Sequence, residues 1–140
     1  MIDIKKISLL LIGLAVSFAA VAQSTPKSNQ NDYVVLTRNL SQLNVILATS
    51  KSLKDEDGKK FGEFHVIICG ETVKGLTEKK TIEDIIVKSK EANIKIVVCG
   101  FSLDNFQMDR EAVSNHLTIV DNGLLYNFQL QKKGFISIEL

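Results

Sequence analysis

Ile94-Lys95-Ile96-Val97-Val98-Cys99-Gly100 and its upstream counterpart Phe64-His65-Val66-Ile67-Ile68-Cys69-Gly70 decide the fold of this chain. Each is a short apolar run rich in β-branched residues, closed by a cysteine and then a glycine. Such runs do not alternate with polar residues, so they read as strands buried on both faces of a parallel sheet. Parallel neighbours cannot be joined by a hairpin. Each therefore needs a crossover, usually a helix, and the segment between the two runs supplies one: residues 81–92 carry Ile82, Ile85 and Ile86 at helical spacing. Thr81 and Asp84 resemble an N-terminal capping pair for that helix.

The same alternation extends outward. Upstream, residues 33–37 (YVVLT) read as a first strand. Residues 40–53 read as an amphipathic helix through Leu43, Ile46, Leu47 and Leu53, and 54–62 as a charged loop broken by Gly58 and Gly62. Downstream, 109–115 reads as a short helix and 117–120 as a fourth strand. A helix over 124–132, ended by Gly134, then leads to a last strand over 135–138. The order β-α-β-α-β-α-β-α-β predicts an α/β fold: a three-layer, doubly wound sheet of about five mainly parallel strands, with strand order left open.

The N-terminus has another character. Lys5 and Lys6 precede an uncharged apolar stretch over residues 7–20, and Ala20-Val21-Ala22 offers small residues at both recognition positions of a signal peptidase. The stretch is shorter than the ~20 apolar residues of a bilayer span. Residues 1–22 are expected to be a cleaved signal peptide, cut between Ala22 and Gln23. Residues 23–32, with Pro26 as the sole proline, read as a flexible polar tether, and 33–140 as the domain. The expected location is periplasmic or secreted, with no membrane attachment after cleavage. Cleavage removes Lys5, Lys6 and Asp3, so the 17 basic and 16 acidic residues become 15 of each. A neutral domain with interspersed charges has no electrostatic reason to seek nucleic acid or an anionic membrane.

In an open parallel sheet, reactive groups gather at the carboxyl ends of the strands. Cys69 and Cys99 stand there, each followed by a glycine that lets the chain turn sharply and brings backbone amides close to the sulfur. Gly100-Phe101-Ser102-Leu103 leads from Cys99 toward a helical turn, an environment that favours thiolate. Ser102 is placed to add a hydroxyl hydrogen bond to the same sulfur. The competing reading makes both cysteines inert small hydrophobes that end buried strands. A third makes them a disulfide, which an oxidising compartment permits if their strands are neighbours.

Other chemistries find no support. Cys99-Gly100-Phe101-Ser102 matches the CGFS signature of monothiol glutaredoxins, but it follows the third strand and no proline follows Pro26, so that fold is rejected. The turn after the first strand, Arg38-Asn39-Leu40-Ser41, has neither GxGxxG nor GxxxxGK[ST], so no nucleotide cofactor is implied, and a flavin ranks low. His65 and His116 are isolated, so no metal is expected. Arg38 and Arg110 are the only arginines; a lone surface role is the commoner reading for each.

Several pieces in order resemble the periplasmic branch of the DsrE/DsrF-like family. They are Cys69-Gly70-Glu71-Thr72-Val73-Lys74-Gly75-Leu76 after the second strand, Cys99-Gly100 after the third, Asp109-Arg110-Glu111, Asn122-Gly123, and Gln131-Lys132-Lys133-Gly134-Phe135 before the last strand. The resemblance covers nearly all of the expected domain. It implies a doubly wound α/β fold and assembly into trimers or hexamers. It also implies, in some members, a cysteine at the end of the third strand that carries persulfide sulfur between a donor and an acceptor protein. That position is Cys99, with Gly100 and Ser102 in support and Cys69 as a second thiol outside the family's pattern. The alternative function is a non-catalytic oligomeric or binding module with Cys99 buried.

Overall fold

The computed structural model describes residues 29–140; the expected signal peptide, its cleavage site and most of the tether lie outside the described residues. Among the described residues, five strands form one sheet: β1 (Asn31–Thr37), β2 (Phe61–Ile68), β3 (Lys95–Cys99), β4 (Thr118–Val120) and β5 (Ile136–Glu139). The helices between them are α1 (Leu43–Asp57), α2 (Lys79–Ala92), α3 (Gly100–Asn105) and α4 (Gly123–Lys132). All pairings are parallel, and the order across the sheet is β4-β3-β2-β1-β5. The fold is therefore α/β with helices on both faces of a parallel sheet, in the flavodoxin-like class.

This order explains which face each helix covers. The steps β1 to β2, β2 to β3 and β3 to β4 all move the same way, so right-handed crossovers put their connections on one face. There Leu43 and Ile46 of α1, Ile82 and Ile85 of α2, and Leu103 of α3 pack on Val35, Val66, Ile68, Ile96 and Val98. The return from β4 to β5 runs the opposite way and puts α4 alone on the other face. Leu130 and Tyr126 of α4 cover a smaller cluster of Val34, Leu36, Ile67, Val97 and the two cysteines. Alternate residues of each strand feed the two clusters, as the pleat requires.

The strands follow the expected pattern, and the differences lie at ends and connections. β1 starts at Asn31, inside the segment read as tether, because Asn31 and Tyr33 both donate to the Asp57 carboxylate, at 2.8 and 2.6 Å. α1 runs on to Asp57, so half of the expected charged loop is helix, stopped by Gly58. Thr81 and Asp84 do not cap α2. The helix begins two residues earlier; Thr81 donates to Glu78 and Asp84 pairs with Lys88. The short helix expected over 109–115 is only a 3-10 turn, Arg110–Ala112, because Arg110 is drawn across to Asp104 and Asp121. The helix in that connection is α3, which starts directly at the end of β3.

Candidate functional site

Cys99 ends β3, and Cys69 follows β2, its neighbour in the sheet. The register runs His65–Lys95, Val66–Ile96, Ile67–Val97 and Ile68–Val98, so one further step sets Cys69 beside Cys99. Equal register in a parallel pair points both side chains to the same face. It is the face covered by α4. Both cysteines are reduced thiols, 5% and 6% exposed, and both line a cleft of about 510 Å³ at the carboxyl ends of the strands. Arg38, Phe101, Ser102 and Leu124 form much of its wall. A larger depression of about 630 Å³ lies between α1 and α2 among charged side chains such as Lys51, Asp55 and Lys88, away from either thiol.

α4 begins directly over the cysteines. Asn122 caps it, its side chain accepting from Leu125 N at 3.1 Å, and the Gly123 amide donates to Cys99 Sγ at 3.3 Å. Gly123 has no room for a side chain: a Cβ there would lie 2.7 Å from Cys69 Sγ and 3.1 Å from Cys99 Cβ. The glycine lets the helix end approach both sulfurs closely. Ser102 closes the site from α3. Its hydroxyl oxygen accepts from the Gly70 amide at 2.8 Å, and its hydroxyl and its own amide both act to lower the Cys99 pKa. Gly70 makes the first of these interactions possible by turning the chain at φ 75° and ψ −165°, a conformation used almost only by glycine that costs a side-chain-bearing residue roughly 1–3 kcal/mol.

These contacts divide the two thiols electrostatically. Burial pushes Cys99 up, but hydrogen bonds from the Ser102 hydroxyl, the Gly123 and Ser102 amides and the Cys69 thiol outweigh it, and its pKa falls below the ordinary value. Cys69 is pushed up to about 12, first by burial, then by the charge of Cys99 and by giving its proton to a hydrogen bond with it; Arg38 opposes the shift. The two sulfurs are thus set apart: the surroundings favour the anion at Cys99 and hold the proton on Cys69.

The structure brings Cys99, Gly100, Ser102 and Cys69 together. Sequence reasoning missed Gly123 as a part of this site; Asn122-Gly123 was legible as a helix start, but its distance from Cys99 in the chain hid the contact. Arg38 stands at the cleft wall and ion-pairs with Glu139, while Arg110 makes a two-point contact with Asp104 at 2.8 and 3.0 Å and a third with Asp121 at 3.1 Å. Both arginines therefore serve ion pairs. His65 is buried lower on the α4 face, its ring between Glu63 at 2.7 Å and the Tyr126 hydroxyl at 3.1 Å; burial lowers its pKa, and its role is structural. Among the described residues no group of three or more His, Cys, Asp or Glu is placed to hold a metal ion.

No family model and no curated protein matches the chain. Solved structures do. The chain is similar to MTH1491 of Methanobacterium thermoautotrophicum, a protein of unknown function, at 14% identity and a TM-score of 0.58, over 78% of this chain and 100% of that one. It is similar also to BT1422 of Bacteroides thetaiotaomicron, a conserved protein of unknown function, at 17% identity and a TM-score of 0.57, over 78% of this chain and 95% of that one. This likeness is one of fold. It agrees with the parallel sheet and its flanking helices, and the chemistry rests on the site itself.

Proposed function

We propose that this protein is an exported DsrE/DsrF-like domain that handles sulfur through Cys99. The Cys99 thiolate attacks the outer sulfur of a small persulfide or polysulfide. The S–S bond of the donor breaks, a bond forms between Cys99 Sγ and the transferred sulfur, and the donor leaves as its thiolate. The observation that carries this reading is the Gly123 amide at the start of α4 donating to Cys99 Sγ at 3.3 Å on a cleft wall, with Ser102 lining the same cleft. Such donors favour the anion, and the anion is the nucleophile. Export rests on residues 1–22 of the sequence. Brief anaerobic treatment with inorganic polysulfide of the Cys69→Ala variant, which has no second thiol to take the sulfur off again, tests the reading: Cys99 should gain about 32 Da, one sulfur, and adding Cys99→Ala should abolish the gain. An unmodified Cys99 refutes it.

Assembly into a homo-oligomer, trimer or hexamer, is part of the same proposal. Leu124, Leu125 and Phe128 of α4 and Ile136 and Ile138 of β5 are exposed, as is Phe101 at the cleft. Large exposed apolar residues gathered on neighbouring elements are the usual mark of an interface. The low exposure of both thiols favours a second reading, a binding or assembly module whose cysteines only fill space. It predicts that neither thiol reacts with a maleimide until the protein unfolds.

A further inference from the structure

Cys69 has no role in a one-cysteine carrier, yet it occupies the place a second redox thiol needs. It lies one register step beyond the Ile68–Val98 pair, on the same face as Cys99 and in the same buried cluster. Neighbouring strands stand about 4.8 Å apart. That spacing falls within the about 4.4–6.8 Å between Cα atoms that a disulfide spans. A single Cβ built at Gly123 would meet both Cys69 Sγ at 2.7 Å and Cys99 Cβ at 3.1 Å, so the two side chains lie side by side under the end of α4.

We infer that Cys69 is a resolving thiol: it attacks the persulfide on Cys99, forms a Cys69–Cys99 disulfide and releases sulfide. This deepens the proposed function and rests on Cys99 accepting sulfur first. In the step, Cys69 loses its proton and its sulfur attacks Cys99 Sγ. The bond between Cys99 Sγ and the outer sulfur breaks, and the outer sulfur leaves as hydrosulfide, which takes up the proton as hydrogen sulfide. The sulfane sulfur is reduced by two electrons and the two thiols are oxidised by two. An external thiol reductant returns the disulfide to the dithiol by exchange.

Burial is the first of the forces that hold the proton on Cys69, and loading Cys99 does not remove it; Arg38, at the wall of the same cleft, favours the Cys69 anion that the attack needs.

The test treats the protein and its Cys69→Ser and Cys69→Ala variants anaerobically with inorganic polysulfide, removes the reagent, and follows intact mass, thiol peptides and sulfide. The wild type should release about one sulfide per chain and end about 2 Da lighter, with Cys69 and Cys99 in one cross-linked peptide. The variants should keep a sulfur about 32 Da in mass on Cys99 and release no sulfide. A wild type that holds the added sulfur on Cys99, with neither sulfide nor disulfide, overturns the resolving role and leaves the carrier reading standing. Sulfide release from the variants equal to wild type also overturns the role. A wild type that shows neither added sulfur nor disulfide, with variants that gain no sulfur, overturns both readings. If neither variant folds, the mass and peptide map of the wild type decide alone.

Discussion

Ser102→Ala removes one hydroxyl that serves two partners at once. In the native site that hydroxyl accepts from the Gly70 amide at 2.8 Å and acts to lower the Cys99 pKa, and Ser102 is 8% exposed. A hydrogen bond to a charged group contributes about 1.5–3 kcal/mol, and about 1.4 kcal/mol is tenfold in an equilibrium. Loss of that interaction with the thiolate should therefore cut the thiolate-to-thiol ratio by roughly tenfold or more. The Ser102 amide, the Gly123 amide and the Cys69 thiol remain as donors, so the thiolate is weakened but not abolished. The orphaned Gly70 amide adds a folding cost of about 1–3 kcal/mol. The assay is the rate of Cys99 alkylation by iodoacetamide against pH, read by peptide mapping, with urea unfolding in parallel. The whole rate profile should move to higher pH in Ser102→Ala and stay near wild type in Ser102→Thr, which keeps the hydroxyl. A general loss of packing would lower stability without moving the profile. An unmoved profile in a folded Ser102→Ala protein refutes the reasoning.

Other substitutions probe the same geometry. Gly123→Ala places a Cβ against Cys69 Sγ, so urea unfolding should show a loss of about 1–3 kcal/mol and Cys99 should react more slowly as its amide donor is displaced. Gly70→Ala must hold φ 75° and ψ −165° with a side chain, and should lose roughly 1–3 kcal/mol although the space beside it is adequate; unchanged stability would mean the turn relaxes. Burial lowers the His65 pKa, so below its unfolded value of about 6.5 the unfolded chain binds a proton the native state resists. Melting temperature should fall as pH drops through that window, and His65→Gln should flatten the fall. Phe128→Glu on the exposed side of α4 should reduce the mass seen by light scattering if that face assembles; an unchanged oligomer would place the interface elsewhere.

Much of the sheet was legible because its strands are buried on both faces. VVL, HVII and IVV leave no solvent side to break the apolar run, and each lies in the sheet where the sequence puts it. The connection after β3 was misread for the opposite reason. Residues 109–115 look helical in isolation, but Arg110 reaches Asp104 and Asp121 and the chain makes one 3-10 turn instead. Gly100 and Phe101 are weak helix signals, yet Phe101 N bonds Asp121 O at 2.9 Å and α3 starts there. The two cysteines could be set at strand ends from spacing alone. Their common face, and Gly123 above them, follow from the return crossover from β4 to β5, and periodicity carries no trace of strand order.

The account turns on whether a nearly buried sulfur behaves as a reachable anion. The direct measurement is the competition of the two native thiols for a small electrophile near neutral pH, with the urea-unfolded chain as reference. Cys99 should be modified first, at a rate above its own in the unfolded chain, while Cys69 stays protected. Equal protection of both thiols, relieved only by unfolding, would contradict it.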